Sequence, residues 1–286
     1  MIEIINPGAL STVQDIGRVG YRDQGVPTSG WMDPSAAILA NEWVGNSDSS
    51  SNIECFLGEF EFKVLKDIYF SVAGAYSQIS INKQPVPIHH FYQLSQGDNI
   101  KIINRTSGQI AYVAFAGKLE IPIALDSFST CLPGKFGGYD GRPLRKGDIV
   151  KIESTSMPPK QIERVSLPKY TKTQVLRFIP GPEFGQLSNP EQQKLFNTSF
   201  AIGTQSNRIG YRLEEVVLGK HALSIPSRPV FLGTMQLPPN GLPIILMADA
   251  QTTGGYPRIG QIVRADIGRL AQCKPGNRVR FRLSNH

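Results

Sequence analysis

The sequence predicts a mainly β protein with two domains and few helices. Short runs rich in β-branched and aromatic residues recur along the whole chain, and many of them alternate apolar and polar side chains. The 286 residues include 28 glycines and 21 prolines, a larger share than the roughly 7% and 5% of an average protein. Such frequent turn residues suit many short strands joined by turns. The length also allows two hydrophobic cores, at about 150 residues for each domain.

Predicted strands occupy both halves of the chain. In residues 59–64 (EFEFKV), alternation places Phe60, Phe62 and Val64 on one face of a strand. The other predicted strands are 2–5, 68–74, 77–81, 99–103, 110–117, 173–180, 242–249, 259–266 and 278–283.

Helices are predicted at three places. The first has Asp33 as N-cap, Pro34 at the first helical position and Gly45 as the C-terminal stop. A shorter helix is predicted to start at NPEQQKLF with Asn189 as its cap, and one turn is predicted at 266–272.

The best candidate for a domain boundary is the segment 153–172, which is polar, contains prolines and lacks apolar periodicity. We therefore predict domains at residues 1–165 and 166–286.

Composition excludes several classes of protein. The net charge is +7 and the pI is about 9.3, which suits either a basic soluble protein or one with an anionic ligand or acidic partner. The basic residues are dispersed and not interleaved with aromatic residues, so nucleic-acid binding is not expected.

Cys55, Cys131 and Cys273 lack CxxC spacing, which indicates reduced thiols and a cytoplasmic location. No signal peptide or membrane-spanning run is expected.

Motifs for nucleotides and metals are also missing. The sequence has no GxxxxGK[ST] motif, and the glycine-rich segment 134–142 lacks the spacing of known nucleotide cradles. His89 and His90 are adjacent, so on a strand they would point to opposite faces, and His221 and His286 stand alone. We expect no metal site.

The pentapeptide Arg-x-Gly-Tyr-Arg occurs at residues 18–22 and again at 208–212. Loosely similar surroundings favour an ancient duplication of one β-barrel unit, with coincidence as the alternative. A duplication predicts an equivalent Arg–Tyr–Arg turn in each barrel. If the segments are strands, the two arginines of each copy share a face. They then form a cationic fork for a carboxylate, phosphate or bicarbonate, or they are solvated or paired with nearby carboxylates.

The segment 247–260 (MADAQTTGGYPRIG) is a second candidate for a binding site. It follows an apolar run, and its consecutive glycines allow backbone amides to approach a ligand closely. Glutamine and threonine supply neutral donors and acceptors, and Asp249 supplies a possible base or orienting group. The alternative is an elaborate structural loop.

Four segments carry a resemblance to a known family: residues 7–41, 206–214, 233–266 and 270–281. They closely resemble the allophanate hydrolase subunit 2 family, also called the KipI antagonist (KipA) family or the family of the C subunit of 5-oxoprolinase. This family is similar to one half of the carboxyltransferase domain of urea carboxylase. The resemblance implies a mainly β fold of two tandem cyclophilin-like β-barrels with a few short helices, in agreement with the duplication.

The resemblance also implies a function. Members look like subunits of a bacterial ATP-dependent 5-oxoprolinase, which converts 5-oxoproline (pyroglutamate) to glutamate. They act with a KipI-like protein, which is the B subunit of that enzyme, and with a LamB/YcsF-like subunit. ATP is expected at the level of the complex. One alternative is a non-catalytic antagonist that binds a KipI-like kinase inhibitor. Another is a biotin-dependent urea carboxyltransferase-type subunit, although the chain has no biotin-carrier Met-Lys-Met motif, so biotin is not expected.

Residue chemistry and resemblance together give the predicted site. Asp249 and Arg212 are predicted to be catalytic. The predicted substrate-binding residues are Arg208, Tyr211, Gln236, Gln251, Thr252, Thr253, Gly254, Gly255, Tyr256, Arg18 and Arg22. The sequence departs from the family pattern at Lys118, where relatives often have glycine, and at Phe128, where many have arginine. These departures make a site in the first domain less secure than one in the second.

Overall fold

The computed structural model describes residues 1–56, 58–75, 77–88, 90–104, 107–154, 170–217 and 225–284. The chain forms two compact units. The first comprises Met1–Val19 and Ser29–Lys169, and the second comprises Gly20–Thr28 and Tyr170–His286. Residues 20–28 therefore group with the second unit, although they lie within the predicted domain 1–165. The predicted boundary at 165/166 lies outside the described residues.

The described residues of the first unit form antiparallel strands and one helix, α1, at Pro34–Trp43. Its strands are β1 (Ile2–Asn6), β2 (Leu10–Gln14), β3 (Asn52–Phe56), β4 (Gly58–Val64), β5 (Ile68–Gly74), β6 (Ser77–Ile81), β7 (Gln84–Val86), β8 (Phe91–Leu94), β9 (Asn99–Asn104), β10 (Ile110–Phe115), β11 (Gly117–Leu119), β12 (Ile149–Val150) and β13 (Ile152–Ser154). One sheet has the order β12-β1-β4-β9-β6-β7, a second has the order β2-β3-β10-β5-β8, and β11 pairs with β13.

The core of the first unit is supplied by both large sheets. The predicted alternation in β4 is confirmed, since Phe60, Phe62 and Val64 are all buried. The Phe62 ring makes edge contacts with Phe70 of β5 and Phe115 of β10, at centroid distances of 5.8 and 5.4 Å. Because Phe62 belongs to one sheet and its two partners to the other, these rings join the two sheets face to face.

Helix α1 follows the prediction closely. The Asp33 carboxylate accepts from the Ala36 amide at 3.3 Å, and Pro34 is the first helical residue. Leu39 and Trp43 are among the residues that the helix buries. The local cap and the apolar stripe thus determine both its start and its packing.

The second unit contains helices α2 (Asn189–Asn197) and α3 (Ile267–Ala271). Its strands are β14 (Thr173–Pro180), β15 (Phe200–Ala201), β16 (Gly210–Arg212), β17 (Arg228–Pro229), β18 (Thr234–Gln236), β19 (Ile244–Leu246), β20 (Thr253–Gly254), β21 (Arg258–Ile262) and β22 (Arg278–Leu283). The main sheet has the order β15-β22-β14-β21-β18-β19-β16, in which β14 and β22 are parallel, and β17 pairs with β20.

Four predicted elements differ from the structure. The strand predicted at 110–117 is divided into β10 and β11. The strand predicted at 242–249 is limited to β19, and the strand predicted at 259–266 ends at Ile262. Helix α2 is capped by Ser188 rather than Asn189, because the Ser188 amide donates to the Glu191 carboxylate at 2.8 Å in a capping box.

The two pentapeptides adopt different backbone conformations. Gly20 has a φ of +94°, and a 3₁₀ turn, Arg22–Gln24, follows directly. In the second copy, Gly210 lies in strand β16 and pairs with Leu246. The expectation of an equivalent turn in each copy is therefore wrong, since pairing with β19 extends the second copy and the first has no such partner strand. The duplication itself stays a prediction.

The lengths of the helices show whether any of them could span a membrane. Within the part of the chain that the structure describes, no helix is both long and apolar enough to span a bilayer.

Candidate functional site

A loop at residues 249–257 of the second unit is anchored at its start by a buried ion pair. Arg208 Nε and Nη2 donate to the two carboxylate oxygens of Asp249 at 2.9 and 3.0 Å. The two side chains are only 3% and 1% exposed. The Asp249 amide also donates to the Arg208 carbonyl at 2.8 Å. Side chain and backbone together fix where the 249–257 loop leaves the sheet.

The far end of the loop rests on Gln236 of β18, which is 2% exposed. Its Nε2 donates to the Tyr256 carbonyl at 3.4 Å, and its Oε1 accepts from Gln251 Nε2 at 3.4 Å. A Cβ atom on Gly254 would lie 2.6 Å from Gln236 Nε2. Glycine at this position therefore leaves room for the Gln236 amide beneath the loop.

Arg22 clamps the same loop from residues 20–28 of the second unit. Its Nη2 contacts the Val230 carbonyl and lies 3.4 Å from the Thr252 carbonyl. Its guanidinium lies 4.9 Å from the ring centroid of Phe231. Partial burial lowers the pKa of this guanidinium. Among the described residues, no carboxylate lies within ion-pair distance of Arg22, so its positive charge is not neutralised by an ion pair there.

Sequence reasoning missed a second arginine clamp beside the loop. Arg258 Nε and Nη2 donate to the Glu183 carboxylate at 3.0 and 2.9 Å, and these hydrogen bonds lower the pKa of Glu183. Arg258 Nη1 also donates to the Pro229 carbonyl at 3.2 Å. Arg228 is exposed on β17, where it pairs with Gly254 of β20. Arg258 directly follows Gly-Gly-Tyr-Pro, and this position could have indicated that it belongs to the predicted site.

The backbone of the loop is held, while several of its side chains face solvent. The Thr252 carbonyl accepts from the Val230 amide at 3.0 Å, and the Gly255 carbonyl accepts from the Ile225 amide at 3.2 Å. Gln251, Thr253 and Tyr256 are exposed, and Tyr256 is 44% exposed. The arrangement presents neutral hydrogen-bonding groups and an aromatic ring beside the Arg22 cation, which suits a small polar anion.

The second pentapeptide does not form one cationic fork. Arg208 is buried on Asp249, whereas Arg212 is exposed and pairs across the ladder with Ile244. Arg212 therefore lies at the opposite end of the β16–β19 ladder from the Arg208–Asp249 ion pair. Tyr211 is 1% exposed and donates from Oη to the Ala271 carbonyl at 2.8 Å, as a core residue does. The predicted catalytic roles of Asp249 and Arg212 stay predictions.

Arg18, in the first unit, has a buried environment like that of Arg208. It is 1% exposed, Nε donates to the Ala124 carbonyl at 3.1 Å, and its guanidinium lies 4.6 Å from the Phe136 centroid. Its Nη2 also contacts the Ser129 carbonyl. These contacts tie residues 124–136 to the loop that follows β2.

A buried carboxylate that sequence reasoning overlooked organises that region. Asp15 accepts from the hydroxyls of Ser127 and Ser129 at 2.6 and 2.5 Å, and from the Phe128 amide at 2.6 Å. The Lys118 ammonium in turn lies 5.4 Å from the Phe128 ring centroid. The two positions at which the sequence departs from the family pattern therefore contact each other.

Residues with defined placement include no group of three or more His, Cys, Asp or Glu side chains able to hold a metal ion. His89, His221 and His286 lie outside the described residues. The expected absence of a metal site stays a prediction.

The fold and the anchored loop define a β-sheet protein with a polar loop that is flanked by arginines. The family model named carboxyltransferase domain, subdomain A and B, matches residues 24–283. The C subunit of 5-oxoprolinase from Haemophilus influenzae is 34% identical over 282 residues, which are 98% of this chain and 90% of that protein. The chain therefore belongs to the carboxyltransferase domain, subdomain A and B, family.

Solved structures share the fold. The urea amidolyase of K. lactis superposes with a TM-score of 0.91 at 26% identity, covering 99% of this chain and 19% of that one. The protein TTHA0988 superposes with a TM-score of 0.88 at 28% identity, covering 98% of this chain and 55% of that one. This chain thus spans about half of TTHA0988 and about a fifth of the amidolyase. The predicted mainly β fold with few short helices is confirmed.

Proposed function

We propose that this chain is a subunit of a bacterial ATP-dependent 5-oxoprolinase, which opens the lactam of 5-oxoproline to give glutamate. The observation that carries the proposal is the match, over 98% of this chain and 90% of the relative, to a protein named as the C subunit of 5-oxoprolinase. The similarity extends over nearly the whole of both chains. It therefore supports a shared role more strongly than a match to one domain of a longer protein would.

The proposed reaction adds water to a stable amide. ATP, bound at the level of the complex, supplies the phosphoryl group that activates the lactam oxygen. Water then adds to the carbonyl carbon, the ring C–N bond breaks and the nitrogen takes up a proton, which leaves the phosphoryl group on the new carboxyl group. A second water hydrolyses this acyl phosphate and releases inorganic phosphate. One 5-oxoproline, one ATP and two water molecules give glutamate, ADP and inorganic phosphate.

The 249–257 loop and Arg22 form the proposed substrate site of this chain. The substrate carboxylate binds the Arg22 guanidinium, whose charge is not neutralised by a carboxylate of the described residues. The exposed Gln251 and Thr253 hydrogen-bond the lactam N–H and C=O, and the Tyr256 ring covers the apolar ring carbons. The Arg208–Asp249 ion pair and Gln236 are positioning residues that hold the loop.

The chain acts with a KipI-like subunit and a LamB/YcsF-like subunit in the cytoplasm. Partners are included in the proposal because the reaction consumes ATP and the sequence has no GxxxxGK[ST] phosphate-binding motif. Cys55, Cys131 and Cys273 are buried thiols, which fits a reducing compartment.

The direct test is reconstitution. The three subunits are purified, combined, and assayed for 5-oxoproline-dependent release of both ADP and glutamate, with each subunit omitted in turn. We expect activity only with all three. Activity that persists without this chain, or inhibition of a KipI-like kinase inhibitor with no turnover of 5-oxoproline, would show that this chain is not a catalytic subunit.

A second candidate is a subunit for biotin-dependent carboxyl transfer to urea, favoured by the TM-score of 0.91 to a urea amidolyase. The same preparation distinguishes the two. Urea-dependent decarboxylation of a carboxybiotin carrier, without any turnover of 5-oxoproline, supports the second candidate and excludes the first.

A further inference from the structure

A cleft lies in the first unit, remote in sequence from the 249–257 loop. It has a volume of about 490 Å³, and its lining includes Asn46, Ser47, Ser49, Lys118, Phe128 and Glu153. This volume is within the range of small-molecule sites, roughly 300–1,000 Å³.

Two walls of the cleft are held by buried or half-buried polar contacts. Asn46 donates from Nδ2 to the Phe115 carbonyl at 2.8 Å and accepts the Gly117 amide on Oδ1 at 2.9 Å. These bonds fix the segment after α1 against β10 and β11. The backbone that carries the Phe128 ring is fixed as well, because the Phe128 amide donates to the Asp15 carboxylate at 2.6 Å. The cleft is therefore preformed.

Among the described residues that line the cleft, one side chain is positive and one is negative, and the two do not pair. Lys118 of β11 and Glu153 of β13 are direct cross-strand partners, a register in which opposite charges usually attract. Among the ion pairs of the described residues, neither side chain takes part in one within 4.0 Å. The Lys118 ammonium instead lies over the Phe128 ring, at 5.4 Å from its centroid.

From this juxtaposition we propose that the cleft binds a free α-amino acid as its zwitterion. The ligand carboxylate binds Lys118 with help from the Ser47 or Ser49 hydroxyl, and the ligand ammonium binds Glu153. The ligand side chain packs on Phe128. A simple anion would use Lys118 and leave Glu153 as a repulsive neighbour, whereas a zwitterion satisfies both charges. The inference is independent of the proposed 5-oxoprolinase activity, since it uses only groups of the first unit.

Isothermal titration of the purified chain tests the proposal. The probes are the standard L-amino acids, acetate as a carboxylate alone, methylamine as an ammonium alone, and inorganic phosphate. We expect saturable binding of at least one amino acid. Acetate, methylamine and phosphate should each bind more weakly by about tenfold or more, because each lacks one of the two charge-assisted bonds.

Variants assign the binding to the cleft. Lys118→Met and Glu153→Gln should each weaken the binding of the amino acid by about tenfold, while Lys118→Arg should retain most of the affinity. Lys63→Met, at an exposed position of β4, is the matched control and should change nothing. Circular dichroism melts establish that each variant is folded.

Three outcomes overturn the proposal. One is the absence of saturable binding by every amino acid tested. Another is phosphate or acetate binding as tightly as the best amino acid. The third is unchanged amino acid affinity in folded Glu153→Gln, which would mean that the negative wall of the cleft takes no part.

Discussion

Arg208 and Asp249 form a two-point ion pair inside the second unit, with donor–acceptor distances of 2.9 and 3.0 Å. Both carboxylate oxygens accept from the guanidinium, and the Asp249 side chain is 1% exposed. A carboxylate held in this way is poorly placed to take a proton from substrate or water. The geometry favours a role in holding the 249–257 loop, with the exposed loop side chains and Arg22 contacting the ligand.

The first prediction concerns the stability that this pair provides. Asp249→Asn removes the counter-charge of a buried guanidinium and should lower the free energy of unfolding by about 3–5 kcal/mol. Arg212→Ala, at an exposed position, should change it by less than about 0.5 kcal/mol. Urea denaturation measures both. If Asp249→Asn keeps its stability but loses activity in the reconstituted complex, Asp249 is catalytic and the holding role is wrong.

The second prediction concerns Arg22. Arg22→Lys keeps the charge but cannot both bridge two carbonyls and stack on Phe231, so KM for 5-oxoproline should rise by about tenfold. Arg280→Lys, at an exposed position of β22, is the control. Steady-state kinetics of the complex supply the measurement. An unchanged KM together with an unchanged kcat would remove Arg22 from the substrate site.

Local patterns predicted much of the fold. Strands β14 and β22 have the predicted bounds, and α1 begins at Pro34 after the Asp33 cap. The signals for these elements are local. Each element is determined by the spacing of its apolar residues and by caps and turn residues a few positions away. Such signals are complete in the sequence itself.

The site was less predictable, because its contacts join distant parts of the chain. Asp15 meets Ser129 across 114 positions, and Arg22 meets Val230 across 208. The pentapeptide match could not show that Arg208 is buried while Arg212 is exposed, since burial depends on the tertiary neighbours of each strand. Glu183 was missed for the same reason, being 75 positions from Arg258.

The third prediction concerns acid stability. Burial of Asp266 opposes its ionisation, but hydrogen bonds from Arg177 and Arg269 outweigh burial and lower the pKa from 3.8 to about 2. The folded state therefore gains stability from this group above pH 3.8 and loses it as the pH falls through about 2. Asp266→Asn should cost about 1–2 kcal/mol at neutral pH, allowing for screening at the partly exposed arginines.

Thermal melts of wild type and Asp266→Asn from neutral pH into this acid range test the idea. The difference in Tm should shrink as the wild-type carboxylate becomes protonated. A constant difference across the whole range would contradict the assigned pKa shift.

The fourth prediction concerns thiol reactivity. Burial raises the pKa of both Cys55 and Cys273 to about 12, so very little thiolate is present at neutral pH. In the folded chain, Ellman's reagent should react slowly with both. In denaturant, all three cysteines should react. Rapid labelling of Cys55 without denaturant, identified by peptide mapping, would mean that the first unit opens locally.

The last prediction tests whether the loop backbone matters for function. Alanine at position 254 would place its Cβ 2.6 Å from Gln236 Nε2, the end of a flexible side chain. Gln236 must then move away from the Tyr256 carbonyl and from Gln251, losing hydrogen bonds of about 1 kcal/mol each. We expect Gly254→Ala to lower kcat/KM of the complex by about tenfold and to lower Tm by several degrees. Gly185→Ala meets open space and should affect neither quantity. Wild-type kcat/KM in Gly254→Ala would show that the 249–257 loop is a structural element, and the substrate site would have to be sought elsewhere.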